Sequence, residues 1–283
     1  MLSWRDVERT KKCVGTLLES SDVARVIVVE NERAGSELEA VLSGVSDERL
    51  LYVGEDRNLG FSAGVNVGLR HFMEGEAPLC LVINNDAALS PDNLRRLIET
   101  ADSAGPRAVV APQIEDAHGD VQSPVEGLNP WSFGIGSHTI SRTPFLTWAC
   151  VLVPKEVFRD VGFLDERFFM YWEDVEFGRR LRLRGIPIVE DRRAFVVHEI
   201  SASHSKASYR IDAYSALGAV VYARIAGRGN LLGVCLRIGA RVLRRLASCE
   251  FRRALAVLEG TILGMRVRGS AADVVEAWNG RQR

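Results

Sequence analysis

Glu173 and Asp174 stand side by side at the start of a stretch with helical periodicity, directly after the aromatic cluster Phe168, Phe169, Tyr171 and Trp172. Such a pair can do acid-base work, because dry aromatic surroundings raise a carboxyl pKa toward the range where it takes a proton from a hydroxyl. A charged helix cap favoured by the helix dipole is the alternative. A second group, Asn84-Asn85-Asp86, ends the apolar run that begins at Pro78. A carboxylate beside neutral oxygen donors suits a hard divalent cation that keeps several waters and takes other ligands from a diphosphate. An ordinary turn aspartate would look the same. His198 closes another apolar run and is a third contact for a cation or a diphosphate, or simply a satisfied polar residue. Asn58-Leu59-Gly60-Phe61-Ser62-Ala63-Gly64 has glycines that could admit a ligand close to the backbone, but not in the Gly-x-Gly-x-x-Gly order of a dinucleotide site.

The elements that must position these groups follow from the spacing of apolar residues. From Val23 to about Val110 short apolar runs alternate with amphipathic stretches in a β-α-β-α-β-α-β rhythm. Continuous apolar strands between helices are covered on both faces, which implies an α/β fold with a mostly parallel sheet. Ligands in such sheets bind at the carboxyl ends of strands, where Glu30-Asn31, Asp56-Arg57-Asn58 and Asn84-Asn85-Asp86 fall. Ser90-Pro91 opens a helix with an N-cap serine and proline at N1. The segment from His118 to Phe145 reads as a loop or short antiparallel strands. Helical spacing returns at Lys155 to Val161, from Trp172 to Arg184, and in several helices from about Ser208 to Ala277.

With 283 residues, 47% of them hydrophobic, the chain can bury a full core. Five scattered cysteines without Cys-x-x-Cys spacing fit reduced core thiols rather than a zinc site or disulfides. No apolar run of about 18 residues suggests a membrane span, and a cytoplasmic location is expected. The formal charge of −1 hides an asymmetry: from Ser205 onward 14 Lys and Arg face 5 Asp and Glu, against 22 and 32 before it. Arg237, Arg241, Arg244, Arg245, Arg252 and Arg253 lie among Leu, Val and Ile, the pattern of a basic amphipathic helix able to lie on anionic lipid, or of a solvated helical face. Residues 1–204 are expected to form one domain and residues 205–283 a helical, basic extension.

Taken together and in this order, these segments resemble the family 2 glycosyltransferases of GT-A fold, in their bacterial rhamnosyltransferase-like branch. VIVVENERAGS resembles the strand ending in Val-Asp-Asn-x-Ser, NLGFSAGVNVGL the second nucleotide-side loop, LVINNDAALSPD the Asp-x-Asp type metal motif, and the stretch from Trp148 to Gly185 with His198 the acceptor side. The resemblance implies transfer of a sugar, with inversion, from a nucleotide-diphosphate donor such as dTDP-rhamnose or a UDP-hexose to a glycan or lipid-linked acceptor hydroxyl. Nucleic acid is not an implied partner. On the donor side it implies Glu30 and Asn31 near the nucleoside, Asn58 and Gly60 lining the same pocket, and Asn84 and Asn85 beside Asp86, which would hold Mg²⁺ or Mn²⁺ with help from His198. Asp174 would be the base, with Glu173 supporting it or touching the acceptor. Glu30 replaces the family's aspartate and Asn84 the first acid of Asp-x-Asp. Only Met1-Leu2-Ser3-Trp4 remains of the family's first strand, which lies between two others, so a start upstream of Met1 is expected.

Overall fold

The computed structural model describes residues 1–116, 118–129, 131–137, 143–198, 208–227 and 230–281. The boundary expected at 204/205 lies outside them. The expected rhythm is present: β1 (Leu2–Ser3), α1 (Val7–Leu18), β2 (Val26–Asn31), α2 (Leu38–Ser43), β3 (Leu50–Glu55), α3 (Gly60–Glu74), β4 (Leu79–Ile83), β5 (Ala87–Ala88), α4 (Pro91–Ala104) and β6 (Val109–Glu115). Ser90 caps α4 by accepting from the Asn93 backbone N–H at 3.3 Å, with Pro91 at N1. Between His118 and Phe145 lie the short strands β7 (Val121–Gln122), β8 (Val125–Leu128) and β9 (Ile135–Ser137) and most of β10 (Thr143–Leu146). There follow β11 (Cys150–Pro154), α5 (Lys155–Val161), α6 (Glu173–Leu183) and β12 (Ile188–His198). The chain then continues in α7 (Ser208–Ala226), α8 (Leu231–Ala247), α9 (Phe251–Arg266) and α10 (Ala271–Arg281).

Strands β3, β2 and β1 pair in parallel, and Leu2 bridges in parallel to Asn84 just after β4. The sheet continues β4-β11-β6-β12-β5. The α/β class expected from the rhythm holds, while β11 runs antiparallel to β4 and β6, and β5 antiparallel to β12. A buried run such as Cys150–Pro154 is apolar whichever way it points, so its direction is invisible in the pattern. Buried residues of α1, α2 and α4 cover one face of the sheet, and those of α3, α5 and α6 the other. A third core joins Phe168, Phe169 and Trp172 to α7, α9 and α10. The cysteines are all free, but only Cys13 and Cys150 are fully buried and Cys235 and Cys249 are exposed, contrary to a uniform role as core thiols.

β1 lies between β2 and β4, as the resemblance implies, and is two residues long. A largely apolar cavity of about 800 Å³ opens beside Met1, lined by Val26, Ile27 and Val29 of β2 and by β4 from Leu79 to Ile83. Glu30, Asn31 and Asp86 do not line it.

Candidate active site

β2 delivers Glu30 and Asn31 to the end of the sheet, both almost completely buried. Tyr52 Oη on neighbouring β3 donates to Glu30 Oε2 at 2.5 Å, and burial together with this bond pushes the phenol pKa up. Asn31 Oδ1 accepts from the Leu59 N–H at 2.8 Å while its Nδ2 donates to Asn58 Oδ1 and to the Gly60 carbonyl. Asn58 Oδ1 also accepts from the Gly60 N–H at 2.8 Å. Asn31, Asn58 and Gly60 thus brace one another and fix the entry into α3, while Glu30, beside Asn31 on β2, is held by Tyr52.

That entry is bolted to the aromatic wall. Gly60 has φ +81°, and a Cβ there would meet the Phe169 carbonyl oxygen at 2.4 Å. The adjacent Phe61 N–H donates to the same oxygen at 2.6 Å. Glycine is required here twice, for the left-handed backbone and for the close approach. One turn on, Asn66 holds Leu164 through both its amide oxygen and nitrogen.

At the far end of this wall Tyr171 and Trp172 both have positive φ, 71° and 77°, immediately before Glu173. Two consecutive bulky residues in that region cost about 1–3 kcal/mol each and persist only where the surroundings enforce them. Helix α7 does so, since a Cβ on Gly218 would meet the Tyr171 carbonyl at 2.5 Å and the Trp172 ring at 2.8 Å. Glu173 is buried, its Oε2 has no hydrogen-bond partner among the described residues, and burial plus the Asp174 charge push its carboxyl well up. Asp174 keeps some exposed surface and accepts from the Val175 N–H at 2.7 Å. Burial raises its carboxyl to about 7, with Glu126 on β8 adding to the effect. Glu126 gave no sign in the sequence, because only tertiary folding brings β8 to α6.

Asp86 and His198 come together across the β5-β12 pairing, where His198 opposes Ala87. His198 Nε2 lies 3.0 Å from Asp86 Oδ1, and Asn84 Nδ2 lies 3.5 Å from the same nitrogen. Asn85 instead donates to Thr10 Oγ1 on α1. Arg9 and Lys12 of α1 line a small pocket with Asp86, a basic contribution not anticipated from the sequence. Among the described residues no cluster of three acidic, His or Cys side chains could hold an ion. A carboxylate and an imidazole nitrogen, both partly accessible, nevertheless fit a cation whose remaining ligands are diphosphate oxygens and water.

The sheet order and the carboxyl-end cluster define a GT-A type fold. Residues 5–162 match the model of glycosyl transferase family 2, and the chain belongs to that family. Its relatives include a low-salt glycan biosynthesis hexosyltransferase of Haloferax volcanii, 28% identical over 203 residues, covering 68% of this chain and 64% of that protein. An N-acetylglucosaminyl-diphospho-decaprenol L-rhamnosyltransferase of Mycobacterium tuberculosis is 28% identical over 226 residues, covering 65% of this chain and 73% of the relative. These are relatives of the expected rhamnosyltransferase-like branch. A solved structure of GalNAc-T7 with UDP, GalNAc and Mn²⁺ superposes with a TM-score of 0.58 at 12% identity, over 82% of this chain and 52% of that one, a likeness of fold alone. The chain thus spans less than two thirds of the length of the first relative and about half that of the solved structure.

Proposed function

We propose that this chain is an inverting glycosyltransferase that moves a hexose or rhamnose from a nucleotide-diphosphate donor to an acceptor hydroxyl in glycan assembly. The observation that carries this reading is Asp174, a carboxyl raised to about 7 at the start of α6, on a wall bolted to the β3-α3 loop. A group of that pKa is half ionised near neutrality and well matched to accept a hydroxyl proton as the acceptor oxygen attacks the anomeric carbon. Attack from the face opposite the leaving nucleotide inverts the sugar. Burial and the Asp174 charge favour the protonated form of Glu173, in which its carboxyl is a donor to an acceptor hydroxyl. Glu30, Asn31, Asn58 and Gly60 shape the nucleoside side, with Asn84 and Asn85 holding the Asp86 turn. Asp86 and His198 would hold Mg²⁺ or Mn²⁺, which when bound offsets charge on the diphosphate. The names of the relatives, a hexosyltransferase of glycan biosynthesis and an L-rhamnosyltransferase of N-acetylglucosaminyl-diphospho-decaprenol, support a hexose or rhamnose donor, here dTDP-rhamnose or a UDP-hexose, and a lipid-linked acceptor.

Calorimetric titration of dTDP, UDP and GDP with and without Mn²⁺ tests this reading. One nucleotide should bind, more tightly with Mn²⁺, and Asp86→Ala should erase most of the difference. Equal affinity of the wild-type chain in Mn²⁺ and in EDTA would remove the cation from the proposal, and no binding of any nucleotide would remove the donor.

A further inference from the structure

The carboxy-terminal hairpin has its polarity reversed. In an ordinary surface helix the apolar stripe faces the core and the charges face water. In α8 the residues one turn apart that face inward are arginines. Arg237 donates to the Phe133 carbonyl and sits 5.0 Å over the Trp172 ring, while Arg241 and Arg245 bond to the fully buried Asp212 of α7. Arg253 of α9 reaches Asp212 as well, at 2.6 Å. Four of the six arginines expected to meet lipid are therefore turned into the protein.

Leucines occupy the outer face instead. Leu232, Leu236, Leu243 and Leu246 are exposed on α8, with Leu232 at 71% and Leu243 at 68%. On α9, Phe251, Leu255, Leu258, Ile262 and Met265 form an exposed stripe at four- and three-residue steps, the spacing of one helix face. The inner side of α9 is pressed onto α7, where a Cβ on Gly260 would meet the Ala213 carbonyl at 2.0 Å, so the stripe lies on the side away from α7. Trp131, 85% exposed, neighbours the start of α8, because Gly233 packs against its carbonyl oxygen and the Phe133 ring. An apolar surface of this extent on a soluble fold marks an interaction site.

We infer that this leucine-rich face of α8 and α9 lies flat in the interfacial layer of an anionic bilayer, inserted by its apolar side chains. Charge selects this occupant over a second copy of the chain. Residues 231–268 carry eight arginines against two glutamates, and the exposed Arg244, Arg252 and Arg266 each follow directly on a stripe residue. A second copy would set arginine rim against arginine rim, whereas anionic headgroups complement it. No described helix is long and apolar enough to cross a membrane, so the hairpin lies on the bilayer rather than spanning it. Trp172, whose indole underlies Arg237, directly precedes the Glu173-Asp174 pair, so the inner side of α8, opposite the leucine face, packs next to the acceptor side of the site. The inference rests on the proposed function only for the identity of a lipid-linked acceptor; the face itself stands on its exposed residues.

Flotation of the full chain with phosphatidylcholine vesicles, with and without phosphatidylglycerol, tests it. The chain should float with the anionic vesicles and keep most of its binding at about 0.5 M NaCl, since apolar insertion is not screened by salt. The double substitution Leu243→Glu with Leu255→Glu falls on exposed positions; it should lower the bound fraction about ten-fold or more while melting temperature and nucleotide affinity stay unchanged. Leu236→Gln with Ile262→Gln should act in the same direction. Unaltered flotation of both double variants would overturn the inference, as would a wild-type chain that does not float but sediments as a dimer that the substitutions dissociate. Absent flotation with intact nucleotide binding would strike the face alone, and flotation without nucleotide binding would strike the proposed function alone.

Discussion

Asp212 and Glu173 are both buried carboxylates, a few side chains apart in the same core, and the fold treats them in opposite ways. Asp212 receives Arg241, Arg245 and Arg253 at 2.7, 3.1 and 2.6 Å, and despite its burial these partners hold its pKa below the usual range. Glu173 has one oxygen without a partner, follows two residues of strained backbone, and shares its surroundings with Asp174; both carboxyls are raised. A chain that can recruit three guanidinium groups to one acid leaves two others unneutralised at the start of α6. Stability explains Asp212, whereas Glu173 and Asp174 cost stability, a cost that the proposed proton transfer would account for.

The largest expected effect separates the two regions by activity. Asp174→Asn should cut turnover by about 10²–10⁴-fold with acceptor in excess, leaving nucleotide affinity unchanged, as befits a base that acts on the acceptor alone. Retention of more than about a tenth of wild-type turnover would acquit Asp174. Next in size, Asp212→Asn should destabilise by about 3 kcal/mol in denaturant titration, because it strands clustered guanidinium charges. A loss below about 0.5 kcal/mol would show that water already satisfies them. Gly60→Ala should cost about 2 kcal/mol, from the left-handed backbone and the collision with the Phe169 carbonyl, and should weaken nucleotide binding through the displaced loop. Unaltered melting and affinity would mean that the loop is not bolted to the wall.

Glu173→Gln should have the smallest effect and the opposite sign. A folded carboxyl with a raised pKa retains a proton that the unfolded chain has lost. Its contribution is therefore destabilising above the ordinary carboxyl range and absent below it. The amide should thus raise stability by about 1 kcal/mol at pH 8, with the gain fading toward pH 4. A loss at pH 8 would place Glu173 with Asp212 among acids that the fold stabilises.

Much of this was legible in the sequence. The alternation of apolar runs gave the sheet and its helices, and the strand ends pointed to Glu30, Asn31 and Asp86, because side-chain period and strand termination are local properties. The proximity of Asp86 and His198 came from the resemblance, since 112 residues separate them and only the β5-β12 register joins them. Tyr52, Glu126 and the Phe169 contact with Gly60 left no local trace. The arginines show the limit most clearly. Their spacing on α8 marked one face of a helix, but nothing local revealed that the face points inward, to a buried aspartate on another helix.

The pH dependence of kcat/KM for sugar transfer, measured at fixed saturating divalent cation from about pH 5.5 to 8.5, tests Asp174 most directly. With a base raised to about 7, kcat/KM should climb roughly ten-fold per pH unit on the acid side and level off above neutrality. Asp174→Asn should lose that limb along with most of its activity. A wild-type profile already flat at pH 5.5 would contradict the assignment of Asp174 as the base.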